Sequence, residues 1–415
     1  MRRLGRLLAS GCIALAPLAL TTSVLAETGA WTPRSSPSDV LELGAVLTLT
    51  NGNVMVAGGI LSAGKLTAAS TEVEVYDPSH DKWALLPPMP APQYNATAAL
   101  LADGSILIAG GISTFSEDPL FNPPLVTNAV LFDPAKDAWV KLPPMPFAET
   151  GATATRLDDG RILVAGGFGD NSVLQAAAIF DPSTDSWAPT SPMRTPRSAA
   201  VSVLLKNGQV LVAGGSAGPG QPLSEAELYD PNKGTWRSTG TMTAARMDPS
   251  ALVLPDGRVL VAGGFGLASA EFYDPSSGSW NDTTSMPFAG LGQAFLLASG
   301  DVLALVINGA DHTVYSALFN TRTTDWAAGP NLRVSSPYPP AEVQLPDRTV
   351  IVLGGGTVAS FGNAGVPPPN AAAIASKTAK SSTTTIVLAI VFACLVLALG
   401  SVYVWQRNRR PRALS

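Results

Sequence analysis

Two patterns recur along this chain in step, and together they leave few folds open. The first is an apolar run ending in paired glycines: VMVAGG at Gly58–Gly59, ILIAGG at Gly110–Gly111, ILVAGG at Gly166–Gly167, VLVAGG at Gly214–Gly215 and Gly263–Gly264, and VIVLGG at Gly354–Gly355. A degenerate copy, LALVING, ends at Gly309. Counted from the second glycine, the steps are 52, 56, 48, 49, 45 and 46 residues. The second pattern is tryptophan, at Trp31, Trp83, Trp139, Trp187, Trp236, Trp280 and Trp326, with steps of 52, 56, 48, 49, 44 and 46. Two unrelated markers sharing one uneven spacing define seven structural repeats, and repeats of this length are the signature of solenoids, propellers or arrays.

Each repeat reads as four short strands. Asn-Gly or Asp-Gly between apolar runs is a strong hairpin signal. It recurs at Asn51–Gly52, Asp103–Gly104, Asp159–Gly160, Asn207–Gly208 and Asp256–Gly257, with Ser299–Gly300 and Asp347–Arg348 as weaker copies. A third strand ends in an aromatic before Asp-Pro, at Tyr76, Phe132, Phe180, Tyr229 and Tyr273, with Phe319–Asn320 as the variant. Proline cannot donate to a central ladder, so these pairs belong at the outer turn before a fourth strand carrying the tryptophan. Seven antiparallel four-stranded units predict an all-β, seven-bladed β-propeller. The 39 Gly and 35 Pro suit many tight turns, while 46% hydrophobic residues argue for a packed core over disorder.

Glycine pair, aromatic and tryptophan, in this order, resemble the kelch repeat from Trp31 to about Phe361. The resemblance implies a kelch-type propeller in which the glycines admit close backbone approach and the aromatics fill the gaps between blades. The first tryptophan has no strands before it, and the last glycine pair has no tryptophan after it. Ala30–Ser35 is therefore expected to complete the blade of Glu342–Leu345, Thr349–Gly355 and Thr357–Phe361.

The two ends read as targeting segments. Arg2, Arg3 and Arg6, the apolar run Cys12–Leu20 and small residues up to Ala26 have the order of a secretory signal peptide, residues 1–26. A lipoprotein box at Ser10–Cys12 and an uncleaved anchor are the weaker readings. Residues 386–405 carry no charge and would span about 30 Å as a helix, matching a bilayer core. Arg407, Arg409, Arg410 and Arg412 then predict a cytoplasmic tail at 406–415 and an extracytoplasmic propeller at 27–361. A sorting tail that is later cut has the same layout. Residues 362–385, rich in Pro, Ala, Ser and Thr, read as a linker. The last blade runs toward that linker at its Asn-Gly/Asp-Gly side, so the glycine-pair face is expected to look away from the membrane. Residues 27–365 hold all 31 acidic and 17 of the 26 basic residues, a net of −14 (17 − 31). An acidic domain without a basic stripe argues against nucleic acid as a partner.

Ten residues beyond each tryptophan, where the chain turns into the innermost strand, stand Leu41, Gln93, Glu149, Arg197, Arg246, Gly290 and Ser336. As repeat equivalents they are expected to ring the channel mouth. Gln93, Glu149, Arg197, Arg246 and Asp248 would there form a polar cluster for a protein or carbohydrate ligand. For the arginines, the kelch resemblance implies a plainer role, in hydrogen bonds between blades. Phe115 and Phe121, on the long loop Ile112–Asn128, are candidate contacts unless that loop packs on its own blade.

Galactose-oxidase-like relatives of the kelch family hold copper with two His and two Tyr, one Tyr cross-linked to Cys. The histidines here are His80 and His312, and both cysteines, Cys12 and Cys394, lie in the terminal segments. That copper chemistry is excluded; no cofactor, metal site or catalytic residue is assigned. The chain reads as an exported, membrane-anchored, non-catalytic binding module, periplasmic or at the cell surface. The alternative is a carboxylate-based sugar-acid isomerase or lyase using Glu149 and Arg197 at the channel mouth.

Overall fold

The computed structural model describes residues 30–37, 41–63, 66–115, 124–290, 292–308, 313–334 and 339–362. The expected signal peptide, the linker beyond Gly362, the membrane span and the basic tail lie outside the described residues, as do Phe121, Ser336 and His312.

Seven antiparallel sheets stand around a central channel. In blade 4 the strands run from the axis outward as Val201–Leu204, Val210–Ala213, Ala226–Asp230 and Thr235–Ser238. The innermost strands of blades 1 to 7 start at Ala45, Thr97, Thr153, Val201, Ser250, Ala294 and Ala341. Second strands such as Val54–Ala57 and Val210–Ala213 are buried along their whole length, because each has a blade on either side. Their apolar runs are therefore continuous, without the alternation of a half-exposed strand. Successive side chains go to opposite seams. Val54 and Val56 pack with Ile351 and Val343 of blade 7, whereas Met55 packs with Ile106 and Ile108 of blade 2. One such cluster fills each of the seven seams, and the seventh, between blades 7 and 1, closes the ring.

The aromatic before Asp-Pro and the tryptophan face one another across the outer two strands. Tyr76–Trp83, Phe132–Trp139, Tyr229–Trp236 and Phe319–Trp326 have ring centroids 4.8–5.1 Å apart. Indole N–H groups then reach the preceding connector: Trp83 donates to Ser35 O, Trp139 to Pro87 O, Trp236 to Ser191 O and Trp280 to Gly240 O, at 2.7–2.8 Å. An amphipathic ring thus joins two blades with one polar atom satisfied.

Blade 7 is closed by the N-terminal strand Trp31–Pro33, paired with Thr357–Phe361. Trp31 lies opposite Phe361, centroids 5.3 Å apart, and donates its indole N–H to Pro330 O of the preceding connector. The Arg34 amide donates to Val358 O, so alternation leaves Pro33 opposite Ala359 at a position that needs no amide donor. Ser35 accepts the Trp83 indole and donates to Asp81, tying the closing strand to blade 1 as well.

One segment that reads as a loop is ordered differently. Ile60–Ala63 and Leu66–Ala69 form a β-ribbon that also pairs with Leu41–Glu42. Alternating apolar residues around Ala63-Gly64-Lys65 carry that signal, which the preceding glycine pair masks.

The channel mouth as candidate functional site

On the glycine-pair face each connector is held by its predecessor. The amides of Gly59, Gly111, Gly167, Gly215 and Gly264 donate to the carbonyls of Gln93, Glu149, Arg197, Arg246 and Gly290 at 2.7–3.2 Å. The ten-residue spacing therefore groups residues that are equivalent in backbone bonding. The approach is why glycine is needed: a Cβ on Gly166, at φ +74, would meet the Arg197 carbonyl.

The side chains at these positions do not line the mouth. Gln93, Glu149, Arg197 and Arg246 are 1%, 0%, 1% and 0% exposed. Arg197 donates to Gly214 O, Glu225 O and Glu227, the last at 2.8 Å. Arg246 repeats this with Gly263 O, Ser269 O and Glu271. Gln93 donates to Gly110 O, the same relative carbonyl 17 residues on. The connectors at Gln93, Arg197 and Arg246 are thus bonded through the main chain to one blade and through the side chain to the next.

Comparing blades exposes an internal rule. In blades 4 and 5 an arginine on the connector meets a glutamate on the third strand, and that glutamate also accepts the amides of Arg194 and Thr195, or of Thr243 and Ala244. In blades 2 and 3 the connector carries Gln93 or Glu149, the third strand offers Val130 or Ala178, and the first of those amides is missing because the residue is Pro90 or Pro146. In these four blades the glutamate, the arginine and the first amide appear or vanish together. Glu227 and Glu271 were not among the expected site residues, since a glutamate in a strand ordinarily marks a solvent face. Their signal is the AELYDP and AEFYDP register set against AVLFDP and AAIFDP.

Glu149 is the acid among these buried groups that lacks a cation. It accepts the Thr97 hydroxyl at 3.1 Å and the Ala152 amide at 2.9 Å, and burial pushes its carboxyl up to about 7. Because the folded value is raised, its stabilisation is complete below about pH 4.5 and is lost as pH rises through about 7, worth about 3 kcal/mol. Glu149→Gln should therefore flatten the loss of stability between pH 5 and 8 in denaturant titrations by about 3 kcal/mol. An unchanged pH slope would show that Glu149 stays ionised in the fold.

Two residues further on, the chain reaches the surface. Leu43, Asn95, Gly151, Ala199 and Asp248 all have positive φ, from 49° to 68°, and the last two are joined around the axis by Asp248 N–H to Ala199 O. Asn95, Gly151 and Asp248 are exposed. Asp248, alone of the expected polar cluster, opens on the mouth; encirclement by the blades raises its carboxyl. Phe115 packs edge-on against Tyr94, centroids 6.1 Å apart, within the small cluster of Ile60 and Ile112. An exposed aromatic not foreseen from spacing, Phe265, follows the glycine pair of blade 5 and is 59% exposed.

His80 lies in an exposed turn, bonded to Asp77 and Ser79. Among the described residues no three His, Cys, Asp or Glu side chains converge on a point that could hold a metal.

The family model of the Kelch motif matches residues 43–90, 153–194 and 197–243. Beta-scruin of Limulus polyphemus is 31% identical over 121 residues, 29% of this chain and 13% of its own length. The Kelch-like protein terF of Aspergillus terreus is 35% identical over 121 residues, 29% of this chain and 26% of its own. Human Kelch repeat and BTB domain-containing protein 12 is 30% identical over 103 residues, 24% of this chain and 16% of its own. The matched stretch thus spans 13–26% of these relatives. Among solved structures, a fungal alcohol oxidase of the AA5 family in complex with copper superposes with TM-score 0.64 and 18% identity, over 82% of this chain and 79% of its own. YjhT superposes with TM-score 0.54 and 17% identity, over 72% of this chain and 99% of its own. At these identities the likeness is one of fold, and the turn around His80 does not fit a copper centre. Seven blades built on this repeat, three of them matched by the Kelch motif, make the chain a kelch-repeat β-propeller.

Proposed function

We propose that this propeller is the extracytoplasmic, membrane-anchored half of a recognition pair, binding a protein partner with its glycine-pair face. Kelch propellers are typically protein-interaction modules. The observation that carries the reading is a division of labour on this face. Glu149, Arg197 and Arg246 are buried and bonded within the frame, while loops of differing length and Asn95, Gly151 and Asp248 are left to solvent. Groups so buried have no access to a substrate, which argues for binding over sugar-acid turnover. The basic and apolar runs at both ends, read as targeting segments, support the extracytoplasmic placement.

The test compares the two faces in cells making the full chain. A photo-crosslinking residue at Asn95 or Phe265 is expected to trap one discrete protein, and one at Asp159, on the opposite face, to trap none. Equal trapping from both faces, or none from either, would remove the proposal.

A further inference from the structure

On the face opposite the glycine pairs, the turn between the first and second strands carries glycine in six blades, at Gly52, Gly104, Gly160, Gly208, Gly257 and Gly300, with φ from 78° to 96°. In blade 7 that position is Arg348, at φ 73°. An L side chain rarely takes this conformation, so the fold keeps an arginine where glycine is the easier choice. Arg348 is exposed, and its guanidinium makes one long hydrogen bond among the described residues, 3.5 Å to Leu296 O. It stands on the wall of a cavity of about 390 Å³ between the turns of blades 7 and 1. Leu49, Leu100, Leu345 and Pro346 make the cavity largely apolar, and Thr50 adds a hydroxyl. The nearby carbonyls are already used: Thr48 donates to Gln344 O, and Gln344 Nε2 donates to Leu296 O and Arg348 O. What remains is apolar surface beside an arginine with donors to spare. That chemistry fits consecutive prolines, which are apolar, carry carbonyl acceptors and have no amide to donate.

The chain leaves the propeller beside this cavity. Gly362, at φ 143°, is pressed so closely on Thr349 that a Cβ there would lie 3.0 Å from the Thr349 Cα. Thr349 directly follows Arg348 at the end of the turn. From the third strand, ending at Phe361, to the innermost strand, ending at Gln344, is two strand spacings, about 10 Å. Beyond Gly362 come three residues and then Val366, Pro367, Pro368 and Pro369. Four residues reach about 13 Å, enough to bring the prolines under the cavity. Exit point, length and chemistry name one occupant. We infer that the prolines at 367–369 fold back under blade 7 and dock in this cavity, with Arg348 donating to their carbonyls. Docked there, the segment fixes the direction in which the linker departs and holds the glycine-pair face away from it. This inference does not depend on a partner binding that opposite face.

The test is disulfide trapping in the full-length chain in detergent micelles, with Cys12 and Cys394 changed to serine and oxidised glutathione as oxidant. Asn370→Cys, just past the prolines, is paired with Thr50→Cys at the cavity or with Ala298→Cys, the equivalent turn position of blade 6 on the other side of blade 7. The Thr50→Cys pair is expected to close within one molecule at least tenfold faster than the Ala298→Cys pair. Arg348→Gly should slow that closure at least threefold while leaving the thermal unfolding midpoint unchanged or raised, since glycine suits the turn. Changing Pro367, Pro368 and Pro369 together to serine should slow it as much without touching the propeller. Equal rates for the two pairs overturn the inference, as do disulfides formed only between molecules or closure indifferent to the loss of the prolines. Trapping that fails while cross-links still form from Asn95 and Phe265 removes this inference and leaves the proposed function standing; the reverse result does the opposite.

Discussion

A chain lacking residues 30–36 is expected to lose the folded propeller, appearing as aggregated or rapidly proteolysed protein. The closing strand completes blade 7 through Trp31, Thr32 and Pro33 opposite Phe361, Ser360 and Ala359. It also carries the Trp31 indole bond to Pro330 O and the Ser35 bonds to Asp81 and Trp83. Its removal uncovers Phe361 at the outer end of the seam with blade 6, and leaves an unpaired edge of the kind that aggregates. Six seams would remain, but in a closed ring each blade is held from both sides. The milder Trp31→Ala, which keeps the backbone pairing, should cost about 3–5 kcal/mol in denaturant unfolding. If both variants unfold with the wild type, the ring is closed elsewhere.

The second large effect is expected in the frame under the mouth. Arg246→Gln keeps donors for Gly263 O and Ser269 O, as Gln93 shows in blade 2, but leaves Glu271 buried without its cation. Removing one partner of a buried pair costs about 3–5 kcal/mol. Glu271→Val alone should be comparably harmful, since it strands Arg246 and the Thr243 and Ala244 amides. Combining Thr243→Pro, Arg246→Gln and Glu271→Val reproduces the solution in blade 2, namely Pro90, Gln93 and Val130. That triple variant should recover more than half of the loss, a coupling that only residues acting as a unit display. Losses that simply add would mean the three positions are independent.

The architecture was legible because two markers, the glycine pair and the tryptophan, each answer one steric demand of every blade. The close approach of Gly166 to the Arg197 carbonyl and the Trp139 bond to Pro87 O have counterparts in most blades, so the spacing alone carried blade number and closure. The mouth was less legible. Residues ten and twelve beyond a tryptophan would share one face of a regular strand, yet Gln93 is buried and Asn95 exposed. The left-handed residue at Asn95, φ 49°, ends that alternation, and neither Asn95, Ala199 nor Leu43 announces such a conformation in the way glycine does.

The central claim is that Gln93, Glu149, Arg197 and Arg246, ten beyond their tryptophans, frame the mouth, while Asn95, Gly151 and Asp248, twelve beyond, face the solvent on the surface proposed for a partner. It is tested most directly by thiol labelling of the folded full-length chain, with Cys12 and Cys394 changed to serine. Asn95→Cys, Ala199→Cys and Asp248→Cys should each react with a bulky maleimide within minutes, whereas Gln93→Cys should stay protected until denaturant is added. Native-state labelling of Gln93→Cys as fast as that of Asn95→Cys would contradict the account.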